Sequence, residues 1–204
     1  MCIRDRPNKA SYVSLDVPTI TSQCKYLLFN DPLIGLMDKH LCPDDGETYA
    51  KHAQTLLAYA QHPRYGYLFR TLGNLCHVLA VKATLSYDIR NAYQSGDKDA
   101  LRLIANERIA EILRRLPAFV DAFREQWYYE NKTFGFEIQE QYFGGLMLRL
   151  SSAAKRLCDY CDGKTARIEE LEQEVLDFYC YDGSRDWPHI DAFNWQDIVS
   201  ASRI

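Results

Sequence analysis

The sequence predicts an all-α fold: an antiparallel bundle of three long and two short helices with irregular N- and C-terminal segments. Three observations support this. Apolar residues recur at three- and four-residue steps over most of 44–178, as on the buried face of a helix. Turn signals at His62-Pro63, Ser95-Gly96 and Asp162-Gly163 divide that stretch. The connections between periodic segments are short, as bundles prefer.

The first residues, 1–7, have no period and no apolar run, and they read as an artefact or truncation scar. Residues 8–43 carry Pro18, Pro32 and Pro43 around one short apolar run, Lys25 to Asn30. They read as a connector with at most a short strand or a turn of helix. Residues 44–204 then form the helical domain. Asp44 or Asp45 is the expected N-cap of a short helix bearing Ala50, Ala53, Leu56, Leu57 and Ala60, which His62-Pro63 stops.

A long helix is expected over 67–94, with Leu68, Leu72, Leu75, Val78, Leu79, Leu85 and Ile89 on one face. Asp97 caps the next helix, whose stripe is Leu101, Ala105, Ile109, Ile112, Leu116, Val120, Phe123 and Trp127. Pro117 inside it removes a backbone bond, so a kink or a division is expected there. A further long helix covers 136–160, with Phe143, Leu146, Met147, Leu150, Ala154 and Leu157 inward and Asp162-Gly163 as its stop. Gly144-Gly145 lies within it at a cost of about 1–2 kcal/mol relative to alanine, and a close helix–helix approach is the expected compensation. A short acidic helix over 168–178 precedes an irregular end.

Composition narrows the function classes. The 204 residues are 47% apolar and 25% charged, with net charge −4. No basic field exists to draw in nucleic acid or anionic lipid, and no apolar run is long enough to span a membrane. The seven cysteines are scattered and odd in number, which fits reduced thiols in the cytoplasm better than a disulfide scaffold. Cys158 and Cys161 have metal-ligand spacing, and Cys180 and His189 would complete a zinc set. No second CxxC pair is present, so a packed thiol pair at a helix end is the expectation, with no metal and no cofactor. No nucleophile elbow, phosphate loop or dinucleotide fingerprint occurs. The pairs Asp44-Asp45 and Glu169-Glu170 read as solvated first turns.

The densest group of potentially functional side chains is Trp127 to Glu137, WYYENKTFGFE. Trp127 continues the apolar stripe, but Tyr128 and Tyr129 cannot both share that face. One reading is a helix–helix corner with aromatic residues packed beneath it. The other is a polar-aromatic surface, formed by Tyr128, Tyr129, Glu130, Asn131 and Lys132, that faces a ligand or another domain.

Several segments taken together resemble a known family. KYLLFNDPLIGLMD, Lys25 to Asp38, is similar to a stretch that follows the catalytic barrel of certain bacterial family 20 glycoside hydrolases. ENKTFGFE, Glu130 to Glu137, running into Gly144-Gly145-Leu146 and Arg149, resembles part of the helical domain behind that barrel. The ending Trp195 to Ser202 resembles the family's tail. The resemblance implies an exo-acting β-N-acetylhexosaminidase, in which the sugar's own 2-acetamido oxygen is the nucleophile. An adjacent Asp-Glu pair then orients the acetamido group and protonates the leaving oxygen. No Asp-Glu dipeptide occurs anywhere in this sequence. The implied identity is therefore the C-terminal helical part of such an enzyme, with no catalytic residues of its own and inactive alone. Its implied partner is an N-terminal (β/α)8 catalytic barrel, with the aromatic corner as an interdomain or homodimer surface. A free-standing helical scaffold or binding protein is the alternative.

Overall fold

The computed structural model describes residues 24–175, and no strand occurs among them. The elements in order are α1 (Cys24–Phe29), a 3-10 turn (Asp38–His40), α2 (Asp45–Ala58), α3 (Gly66–Lys82), α4 (Leu85–Gln94), α5 (Lys98–Leu103), a π-turn (Ile104–Arg108), α6 (Ile109–Glu130), α7 (Phe136–Cys161) and α8 (Glu169–Glu172). The all-α bundle is as the sequence predicts, with four described helices of 14 residues or more.

Two of these helices form the centre. α3 runs antiparallel to α6: Thr71 Oγ1 donates to the Ala122 carbonyl at 3.0 Å near one end, and Arg108 Nε donates to the Val81 carbonyl at 2.7 Å near the other. α7 runs antiparallel along α5 and α6, from Phe136 against Trp127 to Cys161 against Lys98. α2 covers the outer side of α3 and buries only Ala53 fully. The core is rich in aromatic residues. Phe143 meets Phe119 edge-on at 5.6 Å and Phe29 face-on at 5.9 Å, and Phe123 bridges Phe136, Phe143 and Trp127. Such pairs add roughly 0.5–1.5 kcal/mol each beyond the area they bury.

Three helix expectations need correction. The helix expected over 67–94 is broken at Ala83-Thr84 into α3 and α4. Apolar steps continue across the break, so period alone cannot reveal it. The break is stitched from a distance: Arg108 donates to the Val81 carbonyl, to Asp88 Oδ2 at 2.6 Å and to Thr84 Oγ1 at 2.8 Å, and Thr84 donates to Asp88 Oδ2 at 2.7 Å. Second, α6 passes through Pro117 undivided. Pro117 is exposed, so the Leu113 carbonyl it leaves without a helical donor lies on the solvent side, where water can serve it. The irregularity lies upstream, in the π-turn that ends at Arg108. Third, Gly144 and Gly145 make no close helix approach within the described residues. A Cβ at either position would meet no atom within 4 Å.

Other elements follow their local chemistry. The Asp97 carboxylate accepts the Ala100 N–H at 2.9 Å and caps α5. At Asp162-Gly163 the N–H groups turn back to the Cys158 and Tyr160 carbonyls and end α7. α1 and the segment after it are built into the core: Leu27, Leu28, Phe29, Leu33, Leu36, Met37 and Leu41 are all buried.

Trp127 is 6% exposed, and its indole Nε1–H donates to the Lys132 carbonyl at 2.9 Å. The indole thus supports the turn that joins α6 to α7. Gly135 in that turn has φ +95°, a conformation that L side chains rarely adopt, and a Cβ there would sit 3.4 Å from the indole. Tyr129 is 74% exposed. Trp127→Ala should therefore cost about 3–5 kcal/mol in a urea melt. Tyr129→Ala should cost about 0.5 kcal/mol or less. Equal costs would mean that the indole is not a core residue.

Candidate functional site

Two places concentrate polar chemistry. The first is a buried node formed by the turn after α1. Asn30, Asp31 and Asp38 are buried there, and they face Lys82 at the end of α3, Arg90 in α4 and Arg149 in α7. Asp31 shapes the turn, because its Oδ1 accepts the N–H groups of Leu33 and Ile34 at 2.9 and 3.0 Å. Gly35 follows at φ +65°, and a Cβ there would lie 2.1 Å from Asp38 Oδ2, so only glycine fits.

Each cation meets oxygen. Lys82 Nζ donates to the Leu27 and Asn30 carbonyls at 3.0 and 2.8 Å, which the end of α1 leaves without helical donors. Arg90 donates to the Leu33 and Ile34 carbonyls at 3.1 and 3.0 Å and, on its other side, to those of Leu171 and Gln173 at 3.0 and 3.1 Å. Arg149 grips Asp31 through two bonds of 2.6 and 3.1 Å. Asp38 Oδ1 accepts from Ser86 Oγ and from Asn30 Nδ2. Its Oδ2 lies 3.8 Å from Arg90 Nε, a distance for an ion pair but not for a hydrogen bond.

Burial acts on these groups unequally. It pushes the Asp38 carboxyl up to about 6, against the opposing pull of Ser86, Arg90, Asn30 and Lys82. It pushes the Lys82 ammonium down to about 7, although Asp31 and Asp38 favour its charge. Burial would also raise Asp31, but the Arg149 guanidinium and two backbone N–H groups outweigh it and leave that carboxyl below its ordinary value. With its groups this deeply buried and paired with one another, the node is suited to fastening. It binds residues 27–38 to α3, α4, α7 and α8.

The second place is the aromatic corner. Tyr128 is half exposed and meets Phe136 edge-on at 5.5 Å. Tyr129 turns the other way, its ring 4.7 Å from that of Tyr67. Glu130 accepts from the Tyr67 hydroxyl at 2.9 Å and from Gln126 Nε2 at 3.1 Å, and the bond to Glu130 raises the Tyr67 phenol above its ordinary pKa. Asn131 leaves the helix in extended backbone, and Lys132 contributes its carbonyl to Trp127. The five residues singled out in the sequence are all exposed at the end of α6, with the Tyr128 and Tyr129 rings resting on different neighbours. Tyr129 borders a cleft of about 310 Å³ with His62, Pro63, Arg64, Tyr67, Arg70 and Glu125. Arg70 and Glu125 pair there at 2.5 Å.

The cysteines hold no cluster among the described residues, where no group of three His, Cys, Asp or Glu side chains is placed to bind a metal ion. Cys158 contacts Asn106 Oδ1 at 3.6 Å and Cys161 contacts the Lys98 carbonyl at 3.5 Å, both as free thiols. Cys180 and His189 lie outside the described residues. Reading the sequence missed Lys82 and Arg90 as functional groups, although each interrupts an apolar stripe. It also missed Tyr67 and Arg70, which only the folded chain brings to the corner.

The node makes stability depend on pH. Unfolded, Asp38 loses its proton near its ordinary value of 3.8; folded, it does so near about 6. Between those values only the folded state keeps the proton. The stabilisation is therefore complete below about pH 4 and is lost as pH rises through about 6. The stability of the wild type relative to Asp38→Asn should fall by about 2–3 kcal/mol between about pH 4 and pH 6.5 in urea melts. A flat difference would mean that the carboxyl is ionised throughout.

Comparison with known proteins places this geometry in a family. A search of curated proteins gave no match. Residues 5–187 match the family model described as Glycoside Hydrolase 20C C-terminal domain. That span takes in α1 to α8, the buried node and the aromatic corner. The chain belongs to the family of C-terminal domains of family 20C glycoside hydrolases.

Proposed function

We propose that the chain is the accessory helical domain of an exo-β-N-acetylhexosaminidase and works beside a (β/α)8 catalytic domain that removes terminal N-acetylhexosamine. The observation that carries this reading is the family match on an all-helical unit whose sequence contains no adjacent Asp-Glu pair. In the substrate-assisted reaction one carboxylate must orient the acetamido group while its neighbour delivers a proton to the leaving oxygen. The acids of the node and those around the corner have other partners. Asp31 and Asp38 are locked in the node, and Glu125 and Glu130 are engaged by Arg70 and Tyr67. The free thiols of Cys42, Cys76, Cys158 and Cys161 suit a reducing, cytoplasmic setting.

Tyr128, Tyr129, Glu130, Asn131 and Lys132 are the residues we assign to contact with the catalytic domain. All five are exposed, and Phe134 beside them is 83% exposed, more apolar surface than a turn needs. A second reading is favoured by the cleft beside Tyr129: a binding protein that holds a small polar ligand between Tyr129, Tyr67 and the Arg70–Glu125 pair.

The purified chain should release no product from an aryl β-N-acetylglucosaminide. Turnover that vanishes on changing a residue within it would overturn the accessory reading. Tyr129→Ala, mild in the chain alone, should destabilise it more when the chain is joined to its catalytic domain. Equal effects in both settings would remove the corner from the interdomain surface.

A further inference from the structure

The outward face of α7 carries a pattern that neither the fold nor the corner uses. Glu137, Gln141, Gly144, Leu148, Ser151 and Lys155 are all exposed. They follow one another at steps of 4, 3, 4, 3 and 4 residues, so they lie along one face of the helix. Leu148 is 69% exposed, an aliphatic side chain left in water at the middle of the face. One turn before it, Gly144 and Gly145 weaken the helix, yet nothing within the described residues comes close enough to justify them.

The pattern is also its own complement when reversed. Lay the helix antiparallel on a copy of itself, with residue 146 opposite residue 146. Leu148 then faces Gly144, Gln141 faces Ser151, and Glu137 faces Lys155, each contact occurring twice. A large side chain meets a gap, an amide meets a hydroxyl, and an acid meets a base. These are the requirements of an isologous two-fold interface. Local bonds do not exhaust the end groups: among the described residues Glu137 accepts the Gly135 N–H, and Lys155 pairs with Asp159. Ser151 donates to the Met147 carbonyl and keeps its lone pairs for an incoming amide.

We infer that α7 is a self-association surface, on which a second copy of this chain docks antiparallel with Leu148 of each copy over Gly144 of the other. The occupant is a second copy because shape and charge both match under a two-fold operation, a match that a different partner would not need. The inference does not depend on the hydrolase reading, and it uses a face apart from Tyr128 to Lys132.

Sedimentation of the full chain over a range of concentrations tests it. A reversible monomer–dimer equilibrium is expected. Leu148→Glu and Gly144→Leu should each weaken it at least about tenfold with helical circular dichroism unchanged, since position 144 has open space in the monomer. Glu137→Lys should also weaken the dimer, and adding Lys155→Glu should restore it, because the exchanged pair is complementary again. A chain that is monomeric at every concentration overturns the inference. So does a dimer indifferent to Leu148→Glu and Gly144→Leu, or one that responds to Tyr129→Ala instead. A face that becomes protected only when the catalytic domain is attached would assign it to that domain and overturn the inference equally.

Discussion

The structure depends on giving hydrogen-bond donors to main-chain carbonyls that no helix can serve. α1 ends after six residues, and the turn beyond it runs through the core with its carbonyls directed inward. Buried carbonyls without donors cost about as much as lost hydrogen bonds. Lys82 and Arg90 supply the donors. A buried cation is itself expensive to desolvate, but here each expense cancels the other: the carbonyls solvate the cations and the cations satisfy the carbonyls. Neither set could be replaced alone. Arg90 also reaches the carbonyls of Leu171 and Gln173, so two parts of the chain about 140 residues apart share one guanidinium.

That arrangement coincides with the break between α3 and α4 at Ala83-Thr84. A straight helix over 67–94 would carry Lys82 and Arg90 on one rod. The break at Thr84 lets them approach the turn from two sides. Arg108 holds the break in place, and it stands at the end of the π-turn, where one extra residue changes the direction in which the helix presents its side chains. The irregularity in one helix thus answers the irregularity in another.

Much of this architecture was legible in the sequence, for reasons that differ between elements. α7 could be bounded to within a residue because its stripe is long and its ends carry Gly135 and Asp162-Gly163. The phase of the α6 stripe placed Trp127 inside. The break at Thr84 left no trace, because apolar steps run through it and its cause, Arg108, lies 24 residues away. Pro117 does not divide α6, since a helix tolerates proline where the lost bond faces water. In the node, the resemblance marked the stretch from Lys25 to Asp38 without explaining it. The three prolines of residues 8–43 and their lack of period suggested a connector, and the apolar residues from Leu27 to Leu41 also complete the core. The cleft was not legible at all, because Arg70 and Glu125, which pair in it, are 55 residues apart.

The node also bears on how the chain can be made. A ribosome delivers the N-terminal side first. Leu27, Leu28, Phe29, Leu33 and Met37 therefore leave the exit tunnel well before Lys82, Arg90 and Arg149, and Leu171 emerges later still. During that interval an apolar segment with unpaired carbonyls has no place to dock. At about 5–20 residues per second, the wait until Leu171 appears lasts from several seconds to half a minute. For that time the segment is a natural client for a chaperone, and slower translation of the region between α3 and α8 would lengthen its exposure.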